Sequence, residues 1–352
     1  MSPRRVTMAD VAKAAGVSRT TASLVMSGRA RELRISEDVE QRVTRAAAEL
    51  QYRTNMVSVS LRTGSTRTIG FISDTVATTQ LAGDLIKGAL EAARERGVML
   101  FIGETEGDAE LEQLLLQAMH DRHVDGLILT SMFTRAIAVP PDADGIPAVL
   151  LNALPRETSR LPAVVPDEIR AGRSVARALL KVGHRDGIYL IGAGPGLHDG
   201  PPESVASVER QIGIRDELAA AGVSVAGARA CPDWQPEYGV AATRDLLRTA
   251  RPRALICLND RLAFGAYQVL EDAGLAVPTD VSVVSFDDHP LASWMRPKLT
   301  TVALPHYALG RKAVDVLFDE IGRAPEARRE GIIHRVPMPL RRRSSVAGPG
   351  VD

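Results

Sequence analysis

Apolar side chains recur at helical spacing through the first part of the chain, then change at Thr68 to short unbroken runs separated by amphipathic stretches. In the segment TMADVAKAAGVSRTTASLVMSG, which begins at Thr7, Val11, Ala12 and Ala15 form the inward stripe of one short helix. Ala22, Val25 and Met26 form that of a second. Thr7 suits the N-cap of the first helix, because its hydroxyl accepts a hydrogen bond from a free amide of the opening turn. Gly16 closes that helix in the left-handed conformation a sharp turn needs. Val17 fills the angle between the two helices, and Ser18 caps the second, leaving Arg19, Thr20 and Ser23 on its outward face. A basic loop follows, with Arg29, Arg31 and Arg34 as candidate phosphate contacts. Ser36 then opens a third helix, with Glu37 and Asp38 at its positive end. Val39, Val43, Ala46, Ala47 and Leu50 of this helix turn inward to close a three-helix core.

From residue 68 the pattern alternates. Apolar runs over residues 69–73, 98–103, 125–131, 147–152, 162–167, 186–192, 253–258 and 281–286 read as strands. Helices are predicted over residues 81–96, 108–120, 169–182, 204–221, 237–249 and 262–273. Short apolar strands between helices mean parallel sheets covered on both faces. The strands outnumber what one doubly wound sheet usually holds, so two α/β sheets side by side are expected. Open α/β sheets bind ligands beyond the carboxyl ends of their strands. That rule alone selects Ser73, Asp74, Ser131, Asn152, Asn259, Asp260, Asp287 and Asp288.

Charge sharpens the division. The 352 residues carry 43 Lys/Arg and 43 Asp/Glu, but residues 1–67 hold twelve basic against six acidic side chains. A basic front on an acidic body is the distribution that nucleic-acid contact through one end requires. No apolar stretch follows the N-terminal arginines and no run reaches membrane-spanning length, which predicts a cytoplasmic protein. Cys231 and Cys257 lack CxxC spacing and read as reduced core thiols.

Enzymatic and cofactor signals are weak. IGAGPG at residues 191–196 lacks the third glycine of a dinucleotide loop and opens onto loop rather than helix. His120 and His123 have no third ligand nearby, Asp287 and Asp288 point apart in an extended turn, and no GxSxG occurs. No catalytic residue, metal or cofactor is therefore expected. The C-terminal LRRRSS reads as a strand end and a solvated tail.

The pieces VTMADVAKAAGVS, TTASLVMSG, ISEDVEQRVTRAAAELQY and RTNMVSVSLRTGSTRTIGF, in that order, resemble the headpiece of the LacI/GalR (lactose-repressor) family of bacterial transcription regulators. The resemblance implies a helix-turn-helix headpiece over residues 1–54 and a hinge helix with linker over 55–67. It further implies a two-lobed α/β domain of the periplasmic-binding-protein type I fold over 68–345, with a tail over 346–352. In such a homodimer the reading helix enters the major groove of double-stranded operator DNA, which is about 12 Å wide. The DNA-binding candidates are Thr7, Ser18, Arg19, Thr20 and Ser23, with Asn55, Ser58 and Leu61 in the hinge. Leu61 stands where the family wedges a leucine into a base step.

For the body, the resemblance implies three chain crossings between lobes, near Val165, Arg296 and Ala324. SVERQIG matches the family's Arg-x-x-Gly element and makes Arg210 a cleft residue. LNDRLAFGA contributes Asn259, SFDDHPLASW contributes Phe286 and Asp287, and CPDW places Trp234 at a sugar-stacking position. Asp74, Ser131 and Asn152 complete the effector-binding set. Leu81 and Ala82 replace a frequent aromatic pair, which argues against a purine. The expected function is a repressor of carbohydrate uptake or catabolism genes, released by a small sugar-like effector. The alternatives are a corepressor-dependent regulator, a solute-binding protein of the same fold, and an α/β enzyme.

Overall fold

The computed structural model describes residues 6–52, 60, 63–79, 83–140, 145–323 and 331–349. The chain separates into two compact units, Met1–Thr66 and Arg67–Asp352.

The first unit contains α1 (Met8–Ala15), α2 (Arg19–Met26) and α3 (Glu37–Glu49). A reciprocal cap opens α1: the Asp10 amide donates to Thr7 Oγ1 at 3.4 Å, and the Thr7 amide donates to Asp10 Oδ2 at 2.9 Å. Gly16 ends α1 at φ 66°, and its amide returns to the carbonyls of Ala12 and Lys13. Ser18 caps α2 through the Thr21 amide at 3.0 Å. Val11, Ala12, Ala15, Ala22, Val25, Val43, Ala46 and Ala47 form the core as their spacing predicts. Burying valines such as Val11 and Val43 contributes about 1.5–3 kcal/mol each. Val39, Leu50 and Met26, also expected inside, are only half-buried, because each sits near the end of its helix. Ala30, in the basic loop, is buried in their place.

Among the described residues the second unit holds two six-stranded sheets. In the first lobe the order is β11 (Ile333–Val336), β5 (Ala163–Pro166), β4 (Ala148–Pro155), β3 (Gly126–Ile137), β1 (Thr68–Ser73) and β2 (Met99–Glu104), all parallel. In the second lobe it is β12 (Leu340–Arg341), β10 (Thr300–Ala303), β9 (Ser282–Asp287), β8 (Ala254–Cys257), β6 (Ile188–Ile191) and β7 (Gly227–Arg229). Only β12 runs antiparallel there, against β10. Helices α4 (Gly83–Glu95), α5 (Ala109–Asp121) and α11 (His306–Ile321) belong to the first lobe. Helices α6 (Glu168–Lys181), α7 (Val205–Ala220), α8 (Pro236–Thr249), α9 (Asp260–Asp272) and the short α10 (Pro290–Trp294) belong to the second.

The first crossing falls where expected, between β5 and α6, beside Val165. The other two are displaced. The chain does not cross near Arg296, because the apolar run at 299–303 stays in the second sheet as β10, paired with β9. It crosses at Leu304 and Pro305, after which α11 buries Leu309, Ala313 and Leu317 against Leu85, Ala89 and Ala92 of α4. Nor does it return near Ala324, since β11 still pairs with β5 and only β12 joins the second sheet. That crossing lies at residues 337–339. The expected solvated tail is also corrected at its start. Ser345 is fully buried, donating to the Val283 carbonyl at 2.6 Å and accepting from the Thr300 amide at 2.7 Å.

Helix pairs in both lobes approach unusually closely. A Cβ on Gly213 of α7 would stand 2.0 Å from the Ile169 carbonyl of α6, and one on Gly172 would stand 2.2 Å from the Arg210 carbonyl. Backbone therefore meets backbone at the helix that carries Arg210. Among the described residues no helix is long and apolar enough to cross a membrane, and no cluster of His, Cys, Asp and Glu is arranged to hold a metal.

Candidate nucleic-acid interface and effector cleft

The first turn of α2 presents Ser18, Arg19 and Thr20 to solvent. Ser18 spends its hydroxyl on the cap and on Thr21 Oγ1, at 2.8 Å. Arg19 makes no hydrogen bond or ion pair among the described residues and stands free to reach outward. Ser23, a turn later, is half-buried. The Thr7 hydroxyl is occupied by Asp10 Oδ2 at 2.7 Å, so a phosphate contact through it competes with the α1 cap. Arg29 is paired with Glu32 at 2.6 Å, which leaves Arg31 and Arg34 as the cations of the loop without a partner among the described residues. Asn55, Ser58 and Leu61 lie outside the described residues.

In the second lobe the candidates converge on Arg210, which projects from α7 and is 3% exposed. Its Nε and Nη2 donate to the two oxygens of Glu168 at 2.7 and 3.0 Å, and its Nη1 donates to the Leu258 carbonyl at 2.5 Å. Nη2 also reaches Asp287 Oδ1 at 3.4 Å. The guanidinium lies over Phe286 at 4.6 Å and Trp234 at 5.4 Å from the ring centroids, a cation–π arrangement on two rings. Burial weakens the guanidinium's hold on its proton, but Glu168 and Asp287 more than reverse this, so its affinity rises. Glu168 is buried too. Desolvation raises its carboxyl above the ordinary range, and Arg210 only partly offsets it.

Phe286 is wholly buried and serves as the floor beneath Arg210. Trp234 is half-buried, and its indole Nε1 donates to the Gly192 carbonyl at 3.0 Å. Asn259 spends its side chain on the protein itself. Its Oδ1 caps α9 through the Leu262 amide at 2.9 Å, and its Nδ2 donates to the Trp234 carbonyl at 3.0 Å. Beside it, Asp260 is fully buried, accepting from Thr301 Oγ1 at 2.7 Å and the His289 amide at 2.8 Å. Desolvation, then the charge of Asp287, pushes its carboxyl up to about 8. The glycine-rich loop at 191–196 is closed on itself, with the Gly196 amide donating to Asp199 Oδ2 at 2.7 Å.

The first-lobe candidates form a second cluster. Asp74 pairs with Arg135 at 3.0 Å and accepts from the Met132 amide at 2.9 Å. Ser131 Oγ accepts from Arg135 Nε at 3.2 Å. Asn152 is buried at φ 53°, donating to the carbonyls of Ser131 and Met132 at 3.0 Å each. It thereby fixes the bulge in β3 rather than presenting its amide. Arg135 joins the two clusters, because its backbone bridges Ser204, the cap of α7.

Sequence reasoning missed Arg135 and Glu168. Glu168 stands two residues past the end of β5 and so lay within reach of the strand-end rule, but an acidic residue opening a helix reads first as an ordinary complement to the helix dipole. Arg135 lies beyond the apolar run, in the part of β3 that forms only by pairing with Ala153, Leu154 and Pro155.

Residues 7–55 match the family described as "Bacterial regulatory proteins, lacI family". Residues 176–346 match "Periplasmic binding protein-like domain". The chain is 31% identical over 319 residues to the ribose operon repressor of Escherichia coli (strain K12), spanning 90% of this chain and 93% of that protein. It is 30% identical over 354 residues to the HTH-type transcriptional repressor PurR of Erwinia tasmaniensis, spanning 98% of each. The solved Lac repressor dimer bound to operator and the anti-inducer ONPF superposes with a TM-score of 0.77 at 25% identity, covering 98% of this chain and 100% of that one.

Proposed function

The chain belongs to the lacI family of bacterial regulatory proteins, and from that membership we propose that it represses carbohydrate uptake or catabolism genes until a small sugar-like effector enters its cleft. It acts in the cytoplasm as a homodimer whose two reading helices meet successive major-groove faces of a near-palindromic operator, about 34 Å apart. Arg19 and Thr20 read base edges, Ser18, Ser23 and Thr7 contact backbone, and the hinge residues Asn55, Ser58 and Leu61 engage the minor groove. The effector set is Asp74, Ser131, Asn152, Arg210, Trp234, Asn259, Phe286 and Asp287. Within it Arg210, Trp234 and Asp287 meet the ligand, while Asn152, Asn259 and Phe286 hold the walls.

The observation that carries this reading is Arg210, a buried guanidinium between two aromatic rings and two carboxylates, on the helix whose cap bridges the opposite lobe. A ligand that draws on this cluster pulls on both lobes. Couplings of this kind are typically worth about 1–3 kcal/mol, enough to change operator affinity roughly 5- to 150-fold.

Fluorescence anisotropy with labelled DNA from the gene's own upstream region tests the proposal. Salt-sensitive, sequence-specific binding that weakens when a sugar is added is the expected result. Tightening on ligand addition favours the corepressor mechanism. Absence of salt-sensitive binding to any upstream fragment overturns the regulatory reading and leaves a solute-binding role.

A further inference from the structure

The resemblance makes Arg210 a cleft residue, and a lone guanidinium there would attract an anion. In the structure its charge is already spent. Four of its five N–H groups are bonded, two of them to Glu168 and one to Asp287. The two carboxylates are not equivalent. Asp287 holds on through one bond of 3.4 Å and is 24% exposed, so a ligand can displace it. Glu168 is fixed by two bonds of 2.7 and 3.0 Å at 1% exposure, so displacing it from Arg210 would leave its carboxylate buried and unpaired. Even with Asp287 displaced, Arg210 offers no net positive charge.

The first-lobe cluster is balanced in the same way. Asp74 neutralises Arg135 at 3.0 Å, so the two clusters together hold two arginines against three carboxylates. Asp260, buried behind them, adds no cation. Of the other cations, Arg335 is taken up by Glu209 through two hydrogen bonds, and Arg261, which opens α9, donates to Gln235 Oε1 at 3.0 Å. Hydroxyl chemistry, by contrast, is well served. Asp287 can accept from a ligand hydroxyl, Arg135 keeps N–H groups beyond those given to Asp74 and Ser131, and Trp234 offers a half-buried ring.

We propose that Glu168 sets the charge class of the effector, so that the cleft takes an uncharged polyhydroxylated ligand and excludes phosphate esters and carboxylates. This rests on the reading of the cleft as the effector site. Glu168 contributes as a specificity determinant acting through Arg210, since its own oxygens are occupied by the guanidinium. Its replacement by glutamine keeps the shape and an acceptor while releasing one positive charge to the cleft.

The test is a melting-temperature and calorimetric comparison on the full chain with matched probes: D-ribose and ribose 5-phosphate, D-glucose and glucose 6-phosphate, myo-inositol and its monophosphate, and cellobiose. The expected result is stabilisation by at least one neutral member and none by its phosphate. In Glu168→Gln the phosphate-to-neutral affinity ratio should rise at least tenfold, and Asp287→Asn, the milder change, should move it in the same direction by less. Tighter binding of a phosphate by the wild-type chain, whether lost in Arg210→Ala or in Arg261→Gln, overturns the charge rule. An unmoved ratio in both Glu168→Gln and Asp287→Asn overturns it as well. Stabilisation by a neutral sugar that survives Arg210→Ala, or a flat response to every probe, overturns the effector-site reading itself.

Discussion

Arg335 of β11 in the first lobe clamps Glu209 of α7 in the second through two hydrogen bonds, Nη1 to Oε2 at 2.7 Å and Nη2 to Oε1 at 2.6 Å. Glu209 precedes Arg210, so this clamp grips the helix at the point where the candidate effector residue leaves it. Two further contacts hold the same end of α7: the Arg135–Ser204 backbone bridge, and an exposed Arg156–Glu203 pair at 3.0 Å. Breaking a fully buried pair costs about 3–5 kcal/mol, but Arg335 is 32% exposed and water screens part of the interaction. Arg335→Ala should therefore destabilise the body by about 1–3 kcal/mol, and Arg156→Ala by less than about 0.5 kcal/mol. Urea unfolding of both variants checks this, and equal effects would mean that the clamp carries no special load.

The Arg-x-x-Gly element has a physical reason at each end. Arginine ties Glu168, Leu258 and Asp287 together, and glycine three residues later allows α7 to touch the backbone of α6. Because a Cβ at Gly213 would lie 2.0 Å from the Ile169 carbonyl, Gly213→Ala must push the helices apart. Overpacking of this kind costs about 1–3 kcal/mol. The displacement also moves Arg210, so the variant should lose ligand-induced stabilisation as well as melting temperature. A variant that melts and responds like the parent would show that the helix pair has slack.

Legibility in the sequence followed burial. Strands covered on both faces, such as β1 and β8, stand out as unbroken apolar runs, and the helix caps at Thr7, Ser18 and Ser36 announce themselves by residue type. Two of the edge strands do not. β11 alternates between exposed and half-buried positions, and β7 has only three residues, so neither carries a pattern distinct from loop. The displaced crossings follow from an unread β10 and β11: β10 is buried throughout, but two threonines among its four residues weaken the apolar signal, and β11 lies exposed at the sheet edge. In the site, Arg210, Trp234, Phe286 and Asp287 were legible as motifs and do converge. That Asn152 and Asn259 serve the backbone was not legible, because it depends on partners 20 and 25 residues away.

Asp260 makes stability depend on pH in the direction opposite to an ordinary ion-paired aspartate. Its carboxyl titrates near 8 in the fold, against about 3.9 in an unfolded chain. Between these values the folded protein keeps a proton that the unfolded chain has released. This group's contribution to stability is therefore full below about pH 4, falls as pH rises toward 8, and then levels off, with a slope of at most about 1.4 kcal/mol per pH unit. Asp260→Asn mimics the neutral acid, its amide donating to Thr301 Oγ1 and its carbonyl accepting from the His289 amide. The variant should match the parent near pH 5 and exceed it near pH 8 in denaturant unfolding. A parallel pH profile for the two proteins would place the proton elsewhere.

Arg19 offers the sharpest test of the headpiece, because base reading and phosphate contact leave different signatures. A bidentate arginine on guanine discriminates by about 1–3 kcal/mol, whereas a phosphate contact weakens every sequence alike. Arg19 is exposed at the first turn of α2 and bound to nothing among the described residues, so its reach is not limited by a competing partner. Arg19→Ala should lower affinity for the cognate operator about 5- to 150-fold, with the loss confined to operators carrying the preferred base pair at one position of each half-site. The salt dependence should stay near that of the parent. If the loss is uniform across operator variants and the log–log salt slope drops by about one, Arg19 neutralises a phosphate instead and the base is read by Thr20 or a neighbour.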